Sequence, residues 1–388
     1  MKILLATVFD YPHAGGLSTH VTTLKAGLES RGHVVDVLSI SDVPKTAQIL
    51  KARGPSFVLN KMAKGKGIIW SRNARKKMLQ SLIEANKHKN YDIVNAQDVY
   101  ATFAALDAGL PTVSTVHGYM AYEAVSAGSV KENSPEAKYL QEREIEAFRR
   151  TRKVITVDQR IKEYVMNQAG VKGHAIRNFI NIDDFKPDTS QKLAYRQKND
   201  VDENDLVFFV PRRLTKKNGV IYPILSFPKV LEKYPNAKLI YAGSGEALEE
   251  MKNLIAEKGI EDRVRLLGAI PHQKIKEFYA LADVVLVPSI HSAGVEEATS
   301  ISALEAMGSG VPLIACAVGG LKEIVDHGQD GLLVEERNVE QLSDAMIDLL
   351  DHPEKGQALA KAARKKIEQE YSHIAAAEKY EQIYLSAL

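Results

Sequence analysis

The chain has 388 residues, too many for one ordinary core of about 150 residues, so two domains are the simplest expectation. With 45% hydrophobic and 26% charged residues the composition is that of a folded protein and excludes a disordered chain. Lys and Arg number 51 against 49 Asp and Glu, so the net charge of +2 predicts no nucleic-acid partner. The single Cys316 excludes an internal disulfide, and the apolar N-terminal run is too short for a signal peptide, which predicts a cytoplasmic location.

The first part of the chain alternates segments typical of strands and helices. Ile3 to Val8 is a continuous apolar run, as in a strand buried on both faces of a parallel sheet. From Leu17 the apolar residues recur at three- and four-residue spacing, which predicts a helix that ends at Arg31-Gly32. Further strands are predicted at Val34 to Leu38, Ile93 to Val94, Thr112 to Val116 and Val154 to Val157.

A polar segment rich in Asn, Asp and Pro interrupts this pattern between Asn178 and Leu206. We place the domain boundary there, between residues 185 and 186. The pattern then repeats, with strand-like runs LVFFVP, AKLIYAG, RVRLLG, DVVLVPS and PLIACAVGG. The last stretch, Pro353 to Leu388, has helical spacing only. The sequence therefore predicts two doubly wound α/β domains followed by terminal helices.

Glycines follow two of the predicted strands, where open α/β sheets bind ligands. Gly15-Gly16 comes after the first strand, and Gly243-Ser244-Gly245 after a strand of the second domain. Neither completes the G-x-G-x-x-G pattern, which disfavours a dinucleotide-dependent dehydrogenase. Each glycine pair taken alone is compatible with an ordinary turn.

A basic loop, PRRLTKKNGV, lies between a predicted strand and helix and contains Arg212, Arg213, Lys216 and Lys217. Arg offers a planar fork to two phosphate oxygens and Lys a point charge, so the loop suits a diphosphate. The alternative is a solvated basic turn.

Two carboxylates and several hydroxyls stand together in EEATSISALEAMG. Glu297 is predicted in a loop and Glu305 within the following helix, with Thr299 and Ser300 near the start of that helix. Free amides at a helix N-terminus attract phosphate. Taken separately, the hydroxyls could be helix caps and Glu305 an ordinary carboxylate.

The order of these motifs along almost the entire chain resembles the retaining glycosyltransferases of family 4, which have the GT-B fold. The resemblance implies two Rossmann-like domains that face a central cleft, an acceptor-binding domain at 1–185 and a sugar-nucleotide-binding domain at 186–371. It also implies that a C-terminal helix at about 372–388 crosses back to the first domain.

The resemblance assigns roles to individual positions. Arg213 and Lys217 would neutralise the diphosphate, and Glu297 and Glu305 would bind hydroxyls of the donor sugar and of the ribose. His117 would face the sugar from the first domain. The remaining donor-binding positions would be Gly15, Gly16, Gly243, Ile270, Thr299, Ser300 and Ile301. Asn218 stands where the family pattern has Lys, so Lys217 takes that role one position early and Lys216 competes with it.

The activity implied by the resemblance is retaining transfer of a hexose from a nucleotide-diphosphate donor, with UDP favoured, to an acceptor hydroxyl in cell-envelope polysaccharide or glycolipid synthesis. No metal or other cofactor is predicted, because no plausible ligand spacing is present. The alternatives are a sugar-nucleotide 2-epimerase of similar fold and a non-catalytic sugar-nucleotide-binding subunit.

The segment from Lys51 to Lys89 carries eleven Lys or Arg residues and one acid, Glu84, interspersed with apolar residues such as Trp70. Such a surface could contact an anionic membrane from the cytoplasmic side or bind an anionic or lipid-linked acceptor. The alternative is a pair of amphipathic helices whose cations are merely solvated.

Overall fold

The computed structural model describes residues 1–13, 16–62, 65–291 and 299–388. They form two compact units, one of Met1–Asn178 with His373–Leu388 and one of Phe179–Ser372. The division lies between Asn178 and Phe179 rather than between 185 and 186. The reason is packing, because Ile180 and Phe185 are buried in the core of the second unit.

The first unit contains a six-stranded parallel sheet with the strand order β2-β1-β3-β4-β5-β6. The strands predicted from apolar runs are confirmed, whereas the three-residue edge strand β6 has no such run and was not predicted. The strands are β1 (Lys2–Thr7), β2 (Val34–Ser39), β3 (Ile93–Ala96), β4 (Thr112–Val116), β5 (Val154–Thr156) and β6 (Gly173–Ala175).

Helices cover this sheet, and apolar residues of the helices and strands together form its buried core. Their bounds are α1 (Gly16–Ser30), α2 (Lys45–Gln48), α3 (Gly54–Met62), α4 (Lys66–Ala85), α5 (Val99–Asp107), α6 (Met120–Ser126), α7 (Pro135–Arg150) and α8 (Gln159–Ala169).

The C-terminal segment returns to the first unit. A Cβ at Gly27 in α1 would lie 2.2 Å from the carbonyl oxygen of His373, so the two backbones are in close contact there. Tyr380 and Tyr384 of the C-terminal helix are fully buried, and the Tyr384 hydroxyl accepts a hydrogen bond of 2.6 Å from Asn95 Nδ2 in β3. This helix therefore belongs to the first core.

The second unit repeats the architecture, with the strand order β12-β11-β10-β7-β8-β9 in a parallel sheet. Five of its strands match the predicted runs, and the edge strand β12 was not predicted. The strands are β7 (Leu206–Val210), β8 (Ala237–Tyr241), β9 (Val264–Leu266), β10 (Val284–Val287), β11 (Leu313–Cys316) and β12 (Leu332–Val334).

The helices of the second unit pack around its sheet, and the C-terminal helix α17 closes the chain in the first unit. The bounds are α9 (Lys192–Lys198), α10 (Ile221–Lys233), α11 (Leu248–Lys258), α12 (His272–Leu281), α13 (Ile301–Gly308), α14 (Leu321–Ile324), α15 (Val339–Asp351), α16 (Pro353–Lys366) and α17 (His373–Ala387).

Both sheets have one point at which the order of the strands reverses. In the first unit the chain runs from β1 to β2 on one side and continues with β3 on the other, and in the second unit β7 has β8 and β10 as its neighbours. Ligands of open α/β sheets bind beyond the carboxyl ends of the strands at such points. Across the described helices, none combines the length and apolarity that crossing a bilayer requires.

Candidate active site

The second unit has a cavity of about 360 Å³ beyond the carboxyl ends of β7 and β8, next to its strand-order reversal. It combines backbone from glycine-containing turns with cationic side chains. The lining residues are Pro211, Arg212, Arg213, Lys217, Asn218, Ala242, Gly243, Ser244, Ala269, Ile270, Ile275 and Ser302. Four predicted donor-binding residues are thus brought together here: Arg213, Lys217, Gly243 and Ile270.

Arg212 is the internal support of the basic loop. Its side chain is buried, and its guanidinium donates to Ser289 Oγ at 2.8 Å and to Ser300 Oγ at 3.1 Å. It also donates to Asn218 Oδ1 at 2.7 Å, while Asn218 Nδ2 donates to the carbonyl of Arg213 at 2.8 Å. Asn218, the residue that replaces the expected Lys, therefore orders the backbone of the loop.

The geometry distinguishes the two competing lysines. Lys217 lines the cavity together with Arg213, whereas Lys216 is exposed and lies outside the lining. Gly219 ends the turn with φ +63°, and a Cβ there would lie 1.8 Å from the carbonyl oxygen of Pro288. Only glycine allows this close approach of the two backbones, which fixes the position of the turn that carries Lys217. The assignment of Lys217 to the diphosphate stays a prediction, and the position of its side chain supports it.

Gly243 is required where two backbones meet. A Cβ at this position would be 2.0 Å from the carbonyl oxygen of Arg212. The Gly243 amide donates to the carbonyl of Gly268 at 2.8 Å, which ties the turn after β8 to the one after β9. Neighbouring Ile270 lines the cavity from that second turn.

The start of α13 forms another part of the site. Thr299 and Ser300 are buried, and Ser300 is the N-cap residue of the helix that begins at Ile301. Ser302, in the first turn, donates from Oγ to the carbonyl of Pro211 at 2.7 Å and lines the cavity. The helix N-terminus is thus joined to the loop after β7, and its role in phosphate binding remains a prediction.

Glu305 differs from the simple expectation for a ribose-binding carboxylate. It is buried, accepts a hydrogen bond from Tyr279 at 2.8 Å, and lies 2.9 Å from His272 Nε2. The hydrogen bond to Glu305 raises the pKa of His272. Glu305 is not among the residues that line the 360 Å³ cavity. A ribose hydroxyl would therefore have to share this carboxylate with His272 and Tyr279, two residues that the sequence did not single out.

Two predicted site residues, Gly15 and Glu297, lie outside the described residues. Within the described ranges no three His, Cys, Asp or Glu side chains form a group that could hold a metal ion.

The first unit has its own cavity, of about 700 Å³, beyond the carboxyl ends of β1, β3 and β4. The predicted residues His117 and Gly16 line it. The wall also includes residues that the sequence did not single out as site residues: Val8, Arg72, Arg75, Gln97, Asp98, Tyr100, Met120, Glu123 and Glu144.

Two histidines share this region of the first unit. His117 Nε2 lies 2.9 Å from Gln97 Oε1, and the His117 ring meets the ring of His20 edge to face with centroids 4.6 Å apart. Burial lowers the pKa of His117 to about 4 and that of His20 well below its usual range. Both imidazoles are therefore neutral near pH 7, and His117 can donate or accept hydrogen bonds without carrying charge.

Two family patterns cover the chain: "Glycosyltransferase Family 4" matches residues 14–184 and "Glycosyl transferases group 1" matches residues 191–366. An uncharacterized glycosyltransferase of Methanocaldococcus jannaschii is 30% identical over 355 residues, which are 88% of this chain and 87% of that protein. A GDP-mannose-dependent alpha-(1-6)-phosphatidylinositol monomannoside mannosyltransferase of Mycobacterium tuberculosis is 30% identical over 187 residues, 48% of each chain.

The fold is shared with solved glycosyltransferase structures. The Anabaena protein HepE in complex with UDP-glucose matches 99% of this chain and 100% of its own with a TM-score of 0.68 at 19% identity. The chain therefore belongs to the family 4, or group 1, glycosyltransferases, and it is a transferase built from two Rossmann-like α/β domains of the GT-B type.

Proposed function

We propose that the chain transfers a hexose from a UDP-sugar to an acceptor hydroxyl with retention of anomeric configuration, in the synthesis of an envelope polysaccharide or glycolipid. The observation that carries the donor part is the second-unit cavity, where Arg213 and Lys217 stand beside the glycine turn at Gly243. Cations and close backbone approach are what a nucleoside diphosphate requires. UDP is favoured because HepE was solved with UDP-glucose.

In the proposed reaction the acceptor oxygen bonds to the anomeric carbon as the bond from that carbon to the diphosphate oxygen breaks. The acceptor proton passes to the leaving phosphate on the same face of the sugar, so no protein nucleophile is needed. Negative charge grows on the diphosphate, and Arg213 and Lys217 stabilise it. His117 contributes a neutral hydrogen-bonding group that faces the donor sugar. The reaction proceeds without a metal ion or another cofactor.

A thermal-shift comparison of UDP-, GDP- and ADP-sugars tests the donor. A ligand that binds only the native state raises the melting temperature, so a UDP-sugar is expected to give the largest shift. The same panel is run with chelator to test independence from metal. A larger shift with GDP-mannose would contradict the choice of UDP, and no shift with any nucleotide sugar would contradict the donor site.

We also propose that the first unit contacts an anionic membrane surface through α3, α4 and the segment before them. Leu50, Phe57 and Trp70 are exposed there, at 74%, 64% and 48%. The side chains of Leu50 and Trp70, together with Lys51 and Lys77, line a surface groove of about 470 Å³. Apolar side chains among cations fit the interface of an anionic bilayer.

Sedimentation with phosphatidylglycerol vesicles tests this contact, with phosphatidylcholine vesicles in parallel. The double variant Leu50→Ser, Phe57→Ser is expected to lose binding, and salt is expected to weaken the binding of the native chain. Leu193→Ser, at an apolar side chain of the second unit that is 57% exposed, is the control. Absence of binding at low salt would end the proposal.

A further inference from the structure

Two arginines of α4 have buried nitrogen atoms that face the first-unit cavity. Arg72 and Arg75 are one helical turn apart, so their side chains lie on the same face of the helix. Arg72 Nη1 and Arg75 Nε are buried, and neither atom has a hydrogen-bond partner among the described residues. Arg75 Nη1 donates to the carbonyl of Val8 at 3.3 Å, which directs this guanidinium toward the end of β1.

Arg72 and Arg75 are half-buried. A charged group that loses part of its hydration without gaining a hydrogen-bond partner in return is unfavourable. Burial accordingly lowers the pKa of both Arg72 and Arg75, although a guanidinium keeps its charge at neutral pH. Across the described residues neither side chain forms an ion pair. A fold under selection for stability alone would pair or remove such charges.

The carboxylates of the cavity, Asp98, Glu123 and Glu144, attract Arg72 electrostatically. None of them accepts a hydrogen bond from the two unpartnered nitrogens, Arg72 Nη1 and Arg75 Nε. Asp98 accepts hydrogen bonds from the amides of Val8 and Ala101, at 2.9 and 2.8 Å. Glu144 accepts from the amide of Met120 at 2.8 Å and from the hydroxyl of Tyr164 at 2.6 Å. Glu123, which also lines the cavity, lies 3.3 Å from the amide of Tyr119.

Two further polar atoms of the cavity lining also lack a hydrogen-bond partner among the described residues. Gln97 Nε2 and the hydroxyl of Tyr100 are buried and have no partner in the described part of the chain. The other end of the Gln97 amide is bonded to His117, which leaves Nε2 as a donor. Four groups able to donate hydrogen bonds therefore surround one cavity, with two positive charges among them. The same lining also contains the carboxylates Asp98, Glu123 and Glu144, so the cavity as a whole is not cationic. A ligand that satisfies the four donors is rich in acceptor oxygens, and a guanidinium binds an anionic oxygen most strongly.

We propose that Arg72 and Arg75, assisted by Gln97 and Tyr100, bind a phosphate group of the acceptor. This inference rests on the proposed function, because it names the chemical class of the molecule that receives the sugar. It also divides the basic segment 51–89 into two parts. Arg72 and Arg75 face the cavity, whereas Lys51 and Lys77 line the outer groove beside Trp70.

Isothermal titration of the full-length chain, saturated with UDP to occupy the donor site, measures the binding of inorganic phosphate and glycerol phosphate. Glycerol is the uncharged control ligand. The variant Arg72→Gln, Arg75→Gln is expected to weaken glycerol phosphate binding at least tenfold and to leave UDP binding intact. The matched control is Lys87→Gln, which removes an exposed charge of the same basic segment just beyond the C-terminal end of α4.

The melting temperature without ligand tests a purely structural role for the arginines. Arg75 donates to the carbonyl of Val8 and Arg72 lies over the ring of Tyr100, so the double Gln variant is expected to lower the melting temperature slightly. A large loss of melting temperature with unchanged glycerol phosphate binding would assign the arginines a structural role. Arg72→Lys, Arg75→Lys is the second variant, because it keeps the charges and removes the forks. It is expected to bind glycerol phosphate with intermediate affinity.

Vesicles identify the source of the phosphate. If binding of phosphatidylglycerol vesicles depends on Arg72 and Arg75 and free glycerol phosphate does not bind, the acceptor is a lipid headgroup. If glycerol phosphate binds in the same dependent manner, a soluble phosphate compound is sufficient. The inference would be overturned if the native and variant chains all bind UDP and bind phosphate and vesicles equally well. Absence of UDP binding would instead count against the donor site.

Discussion

Each unit has a cavity with arginine side chains beyond the carboxyl ends of its strands, but the two cavities are built differently. In the second unit the cations come from one short loop, where buried Arg212 is bonded to Asn218, Ser289 and Ser300 and thereby presents Arg213. In the first unit Arg72 belongs to a helix distant in sequence from the strands of the cavity, and its Nη1 is unpaired within the described residues. A site carried by one contiguous segment is readable as a motif, and a site assembled from separate elements is not.

The two glycine positions offer the sharpest test of this difference. Gly243→Ala would place a Cβ 2.0 Å from the backbone carbonyl oxygen of Arg212. We expect the free energy of unfolding to fall by about 3 kcal/mol. We also expect this variant to lose nucleotide binding. Gly16→Ala in the first unit meets no atom within 4 Å, and its effect on stability is expected to stay within about 1 kcal/mol. Denaturant unfolding of both variants is the measurement. Equal losses would show that Gly16 is also sterically required.

The adjacent lysines separate a charge in the cavity from a charge on the surface. Lys217→Gln is expected to lower kcat/KM for the nucleotide sugar by about 100-fold, or about 2.7 kcal/mol, because a cation at the leaving diphosphate is lost. Lys216→Gln removes the same charge from an exposed neighbour outside the lining and is expected to change kcat/KM by less than about threefold. The reverse order would move the diphosphate to Lys216.

The two units should also respond to pH in opposite directions. His117 has a pKa of about 4 in the native state, so the unfolded chain binds protons first as the pH falls below about 6.5. The first unit should therefore lose about 2 kcal/mol between pH 7 and pH 5. The pKa of His272 is raised by Glu305, so its contribution is present at low pH and is lost as the pH rises through that value.

Hydrogen exchange followed in each unit separately measures these responses. His117→Asn should reduce the acid sensitivity of the first unit alone, and His88→Asn, at an exposed position, is the control. Acid sensitivity that persists unchanged in His117→Asn would assign the effect to other groups, His20 first among them.

Several features could be predicted because they depend on local sequence. Continuous apolar runs identified the central strands, since a strand buried on both faces needs apolar residues throughout. The edge strand β6 was not predicted because Gly173–Ala175 contains no apolar run. Strand β12 is a three-residue apolar run, Leu332–Val334, and was not predicted although β5 and β9, of the same length, were. The domain boundary was placed in the polar segment, although Ile180 and Phe185 pack into the second core ahead of it.

The site was predictable to a similar degree. Arg213, Lys217 and Gly243 were selected from residue type and position after a strand, and the structure brings them to one cavity. The partners of Glu305 were missed, because His272 and Tyr279 reach it from a helix that is remote in sequence. No local signal marks such a pair.

The sequence by itself determined the family, the two α/β domains and the cationic loop of the donor site, because each depends on local periodicity or on a contiguous motif. Only the tertiary structure decided that Lys217, not Lys216, lines the cavity of the second unit. Only the tertiary structure decided, likewise, that Arg72 and Arg75 of the basic segment line the cavity of the first unit. The physical reason is that burial and hydrogen-bond partners are set by packing between distant segments. A charge that is solvated in one such environment is an unpaired donor in another.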